Sequence, residues 1–110
     1  MAQAALRLVA LPPAPLDAAL AFHAEYLAAA RALFGKHDAV VLVFAPAGHE
    51  HRAWRLAAVQ ELAREASPCR VNAVAGSDED ALAETLAYLE AAPGVTGQLL
   101  AVDGKPDQIG

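Results

Sequence analysis

RVNAVA, residues Arg70–Ala75, and VTGQLLAVDG, residues Val95–Gly104, are the two stretches from which the fold can be read. Both contain short apolar runs rich in β-branched or aliphatic residues. Between them Leu82, Leu86 and Leu89, with Ala81 and Thr85 adjoining, recur at helical spacing, and Pro93 and Gly94 close that segment. Two strand-length runs separated by one amphipathic helix predict two parallel strands joined by a crossover. Ser77 is placed to cap the helix, and Asp78, Glu79 and Asp80 suit its positive end.

Working toward the amino end, the same alternation repeats. Pro68 bars the helix read over His49–Ala66, whose apolar face is Leu56, Val59, Leu62 and Ala63. Ala39–Ala45, AVVLVFA, is apolar throughout and reads as a strand covered on both faces. A helix over Leu16–Phe34 follows from the stripe Leu16, Leu20, Leu27 and Phe34, with Ala24 and Ala30 between. Leu6–Leu11 is an apolar run ended by Pro12, Pro13 and Pro15, and reads as the first strand. Gln98–Val102 reads as the last. The expected fold is α/β, a small Rossmann-like three-layer sandwich of about four parallel strands alternating with three helices. Residues 1–104 form one domain, and residues 105–110 a polar, flexible tail.

Composition limits what such a domain can do. The chain has 110 residues, 56% of them apolar but only 5% aromatic, so its helices are thin and its core modest. The formal net charge of −5, without a basic run, excludes a nucleic-acid groove and an anionic membrane as partners. No charged, apolar leader and no run of membrane-spanning length is visible, so a cytoplasmic location is expected. The single cysteine, Cys69, opens a buried strand and reads as a small hydrophobe.

The two opening stretches resemble the carboxyl-terminal part of the short-chain dehydrogenase/reductase family, in which an RVNAV strand is followed by a VTGQ-type turn and a strand ending in VDG. Leu56–Glu65, LAAVQELARE, is similar to the family helix that precedes that strand. The resemblance implies that this chain corresponds to the family's second half. It also implies a Tyr-x-x-x-Lys pair on that helix, a serine on the preceding strand and an asparagine on the earlier helix. Counted along this chain, the tyrosine falls at Gly48, the lysine at Arg52, the serine near Ala45 or Pro46, and the asparagine near His23. No Y-x-x-x-K occurs, and Tyr26 and Tyr88 have no lysine four residues on. The glycine-rich turn that would take a dinucleotide pyrophosphate is absent too. An arginine stays charged and cannot replace a phenol as acid or base.

No catalytic, cofactor-binding or metal-ligating residue is therefore assigned, and no cofactor is expected. His49, Glu50 and His51, with His23 or His37, lack a third ligand fixed by spacing and read as an exposed polar helix start. His23, Gly48, His49 and Arg52 are the positions of a degenerate or small-ligand site at the strand ends. Trp54 shares a face with Ala58 and Glu61, away from the aliphatic stripe, and marks an interface. The first expectation is a non-catalytic protein acting by association, with itself as a dimer or larger or with a full-length short-chain reductase. An edge left open beside Leu6–Leu11 and the two retained family assembly helices, Leu16–Phe34 and His49–Ala66, favour it. A divergent oxidoreductase and a small-ligand binding module are the alternatives.

Overall fold

The computed structural model describes residues 2–102. The expected tail, residues 105–110, and the end of the VDG stretch, Asp103 and Gly104, lie outside the described residues. β1 is Gln3–Leu8, β2 Ala39–Phe44, β3 Arg70–Ala75 and β4 Leu99–Ala101. They form one parallel sheet in the order β1-β2-β3-β4. The helices are α1 (Pro15–Glu25), α2 (Leu27–Phe34), α3 (Arg52–Ala66) and α4 (Glu79–Glu90), and a 3-10 turn, His49–His51, leads into α3. The α/β sandwich with a parallel sheet is thus present, with one more helix than the sequence suggested.

Every residue of β2 is buried, as a central strand with both faces covered requires. Val40, Leu42 and Phe44 pack with Phe22 of α1 and Ala30 of α2, and with Val59 and Leu62 of α3. Val41 and Val43 point the other way, and with Val74 they meet Leu82 and Leu89 of α4. Each crossover steps one strand in the same direction, yet α1–α2 and α3 lie on one face and α4 on the other. The third crossover therefore has the opposite hand from the first two, a departure from the near-universal single hand of such units.

Four expectations need correction. The first strand lies at Gln3–Leu8 rather than Leu6–Leu11, because pairing of Gln3 with Ala39 through Leu8 with Phe44 sets its register. Partnership with a buried neighbour outweighs the poor strand propensity of QAA. Beyond it, Ala10 adopts a left-handed φ of 61°, and the prolines follow.

The helix read as Leu16–Phe34 is two helices broken at Tyr26. The Tyr26 hydroxyl donates to the Val9 carbonyl at 2.8 Å and accepts from the Val9 amide at 3.3 Å, which ties the break to the end of β1. The expected stripe fails with it. Leu16 and Leu20 are 86% and 70% exposed, whereas Ala18 and Phe22, one turn apart, face the sheet. A single stripe through those residues needs one straight helix, which this is not.

The helix start at His49–His51 is also not wholly exposed: His51 is buried. At α4 the cap is Asp78, not Ser77. Its Oδ1 accepts from the amides of Asp80 at 2.9 Å and Ala81 at 3.2 Å.

Candidate functional site

The carboxyl ends of β1 and β2 face a cavity of about 350 Å³ between the β1–α1 and β2–α3 loops. In open parallel sheets this is the end at which ligands sit. Leu8, Leu11, Pro12, Ala18 and Pro46 supply apolar lining, while Gly48, Glu50, His51 and Arg55 supply the polar part.

Arg55 is the unusual member. It is only 7% exposed. Its guanidinium lies 4.4 Å from the centre of the Phe44 ring, and Nη1 donates to the Ala45 carbonyl at 3.0 Å. Nε is enclosed with no hydrogen-bond partner. No carboxylate among the described residues pairs with it. Burial alone pulls its pKa below the usual arginine value. The sequence held a signal for this residue that its reading missed. Arg55, Val59 and Leu62 follow at i, i+4 and i+7, so a cation stands in register with the buried stripe.

His51 is fixed beside it. Its Nδ1 lies 3.1 Å from the Trp54 indole N–H, which can only donate, and its Nε2 lies 3.0 Å from the Pro13 carbonyl, which can only accept. The ring is therefore the Nε2–H tautomer, bracing the β1–α1 loop against α3. Glu50 folds back over Gly48, and a Cβ at that glycine would run into the Glu50 carboxylate.

The expected site residues separate into two places. Gly48 lines the cavity, whereas His49 and Arg52 are exposed and do not line it. His23 lies on a different feature, a groove of about 590 Å³ between α1–α2 and α3. There it joins Trp54, Ala58 and Glu61, the three positions read as an interface, which the fold does bring together. Trp54 is half-buried and packs its inner side on Phe22 and Phe44, at 5.8 and 5.6 Å between ring centres. Arg31 and Glu65 close the groove with a paired contact at 2.6 and 2.8 Å.

A comparison with known families matches residues 6–102 to short chain dehydrogenase-like proteins. The chain belongs to that family. No curated protein matches the chain, and no solved structure does. In this short chain dehydrogenase-like protein Gly48, where the resemblance would put the family tyrosine, lies under the Glu50 carboxylate, and Arg52, where it would put the lysine, is exposed to solvent. The Glu50 side chain is exposed and free to swing, so Gly48 is covered only by a movable carboxylate. With no glycine-rich turn to cradle a pyrophosphate and no Y-x-x-x-K in the sequence, the residues present do not fit a nicotinamide dinucleotide, and no step through one is derived. Among the described residues, no three His, Cys, Asp or Glu side chains are grouped to hold a metal ion. No described helix is long and apolar enough to cross a membrane.

Proposed function

We propose that this short chain dehydrogenase-like protein acts by association rather than catalysis, pairing through its α1–α3 face with a second copy or with a full-length reductase of its family. The observation that carries this reading is the continuity of exposed apolar surface with the Trp54 groove. Leu16, Leu20 and His23 follow at i, i+4 and i+7 on α1, so the two bared leucines lead into the groove that His23, Leu27, Trp54 and Ala58 line. Contiguous apolar surface beside a half-buried aromatic is the usual mark of a contact site. Among the described residues, β1 has β2 as its one strand neighbour, so its far edge also offers unpaired backbone groups. The family resemblance adds that assembly uses these same two helical elements.

Light scattering on the purified chain at micromolar concentration tests this. The expected result is a dimer or larger that becomes a monomer in Leu16→Glu/Leu20→Glu with unchanged far-ultraviolet dichroism. A wild-type monomer that also fails to capture a full-length reductase of the family overturns it. Saturable binding of NADPH or NADH would instead favour a divergent oxidoreductase.

A further inference from the structure

The cavity at the carboxyl ends of β1 and β2 lies apart from the groove and holds a cation that no carboxylate of the described residues pairs with. Removing a guanidinium from water costs several kcal/mol unless a charge or a full set of hydrogen bonds replaces the solvent. Arg55 has one hydrogen bond, to the Ala45 carbonyl, and two aromatic rings beside it, Phe44 at 4.4 Å and Trp54 at 5.9 Å. Its Nε is enclosed and unpartnered, while Nη2 makes no contact with a described acceptor and is not enclosed. The side chain is thus anchored at one nitrogen and open at another, on the wall of a cavity. Cation–π contacts offset only part of the cost of burying a guanidinium.

We infer that this cavity binds a small monoanionic carboxylate with an apolar body, its carboxylate held by the Arg55 guanidinium. The lining selects the rest of the molecule. The side chains of Leu8, Leu11, Pro12, Ala18 and Pro46 are apolar and suit an apolar body, with backbone groups of the two loops making up the rest of the wall. At about 350 Å³ the cavity lies near the small end of ligand pockets. His51 does not compete for the anion or attract it, because both ring nitrogens are committed to Trp54 and Pro13. Glu50 shares the wall and carries a negative charge. It tolerates one ligand charge balanced by Arg55 and opposes two, so a carboxylate is preferred over a phosphate dianion.

The probes are butyrate and inorganic phosphate, each titrated at constant ionic strength. Binding is read from the fluorescence of Trp54, whose ring lies 5.9 Å from the Arg55 guanidinium carbon, and from the melting temperature. Butyrate is expected to give a saturable change, with phosphate at least about tenfold weaker, a loss of the size of one charge-assisted contact. Arg55→Met is expected to abolish the response yet melt at the same temperature or higher without butyrate, because an unpaired buried charge has been removed. Glu50→Gln, on an exposed side chain, keeps the fold intact and is expected to narrow the gap between the two probes. No saturable butyrate response, tighter binding of phosphate, an unchanged response in Arg55→Met, or an unchanged gap in Glu50→Gln overturns the inference. So does a sharp fall in melting temperature in Arg55→Met together with a wild-type protein indifferent to butyrate, which would mark a purely structural arginine.

Discussion

Asn72 and Gln98 are joined across the turn that delivers β4: the Gln98 amide donates to Asn72 Oδ1 at 3.0 Å. The other end of the same carboxamide donates from Nδ2 to the Val95 carbonyl at 3.0 Å. One buried side chain therefore grips both ends of the VTGQ turn. Thr96 Oγ1 accepts from the Val71 amide at 3.0 Å, and the Gly97 amide donates to the Val71 carbonyl at 2.7 Å. Arg70, one position earlier, donates from Nη1 to the Leu89 and Ala92 carbonyls, both at 2.9 Å, and closes the end of α4. The RVN and VTG motifs are thus two halves of one latch, which explains why they occur together.

Replacing Asn72 with leucine keeps the bulk and removes the latch. Asn72 is 1% exposed, so its two partners lose bonds that water reaches poorly. The expected cost is about 1–3 kcal/mol, read from urea unfolding. Because β4 is only three residues long, hydrogen exchange is expected to rise first at Leu99–Ala101.

Gly97 is the second part of the latch that cannot be changed freely. Its φ is +75°, in the left-handed region that side chains disfavour. A Cβ there would meet only Ala63 Cβ at 3.8 Å and Gln60 Cγ at 3.9 Å, ordinary contacts. The penalty of Gly97→Ala is therefore conformational, about 1–2 kcal/mol, with no steric part. Gly97→Asn, which tolerates that region better, is expected to lose less in the same urea titration.

The central strands and the alternation of elements were legible because they are set by local pattern. Ala39–Phe44 is a continuous apolar run and Arg70–Ala75 a β-branched and apolar run interrupted only by Arg70 and Asn72, both between clear breakers, and Leu82, Leu86 and Leu89 mark one face of α4. What was not legible depends on contacts distant in the chain. The break at Tyr26 is made by a hydroxyl reaching Val9, seventeen positions away. The true extent of β1 is set by β2, and the reversed third crossover by which face of β2 is left for α4. In the candidate site, Gly48 was found through the resemblance, and Trp54, Ala58 and Glu61 through shared helical phase. Arg55 was not singled out, although its phase with Val59 and Leu62 put it in the core.

Cys69 is buried, and burial pushes its thiol up from the ordinary value, with Asp38 adding to the rise and Arg70 opposing it. The thiolate is the reactive form, so alkylation at pH 8 is expected to be slow in the folded protein and fast in urea. The unfolded chain ionises first as pH rises through the ordinary thiol value of 9.0. Stability is therefore expected to decline above that pH until the folded thiol ionises too. Cys69→Ala is expected to remove this alkaline slope, while leaving a small cavity that lowers stability uniformly below pH 8 by about 1 kcal/mol.

The Arg31–Glu65 pair spans α2 and α3 at the groove. A hydrogen bond from Arg31 holds the Glu65 carboxyl below the ordinary 4.5, with desolvation opposing it and the Arg31 charge adding to it. Arg31 is correspondingly raised by the same partner. Because the folded carboxyl is the stronger acid, its contribution is present above pH 4.5 and is lost as pH falls through the lower folded value. Both side chains are about half exposed, so the contribution is small and screened by salt. Glu65→Gln is expected to flatten the acid limb of a stability–pH curve taken below pH 4.5 and to leave neutral-pH stability nearly unchanged. The same flattening is expected for the wild type in molar salt. A variant whose acid limb matches the wild type at low salt would show that α2 is held on α3 by Ala30, Leu27 and Leu62 alone, with the ion pair an ornament of the groove rim.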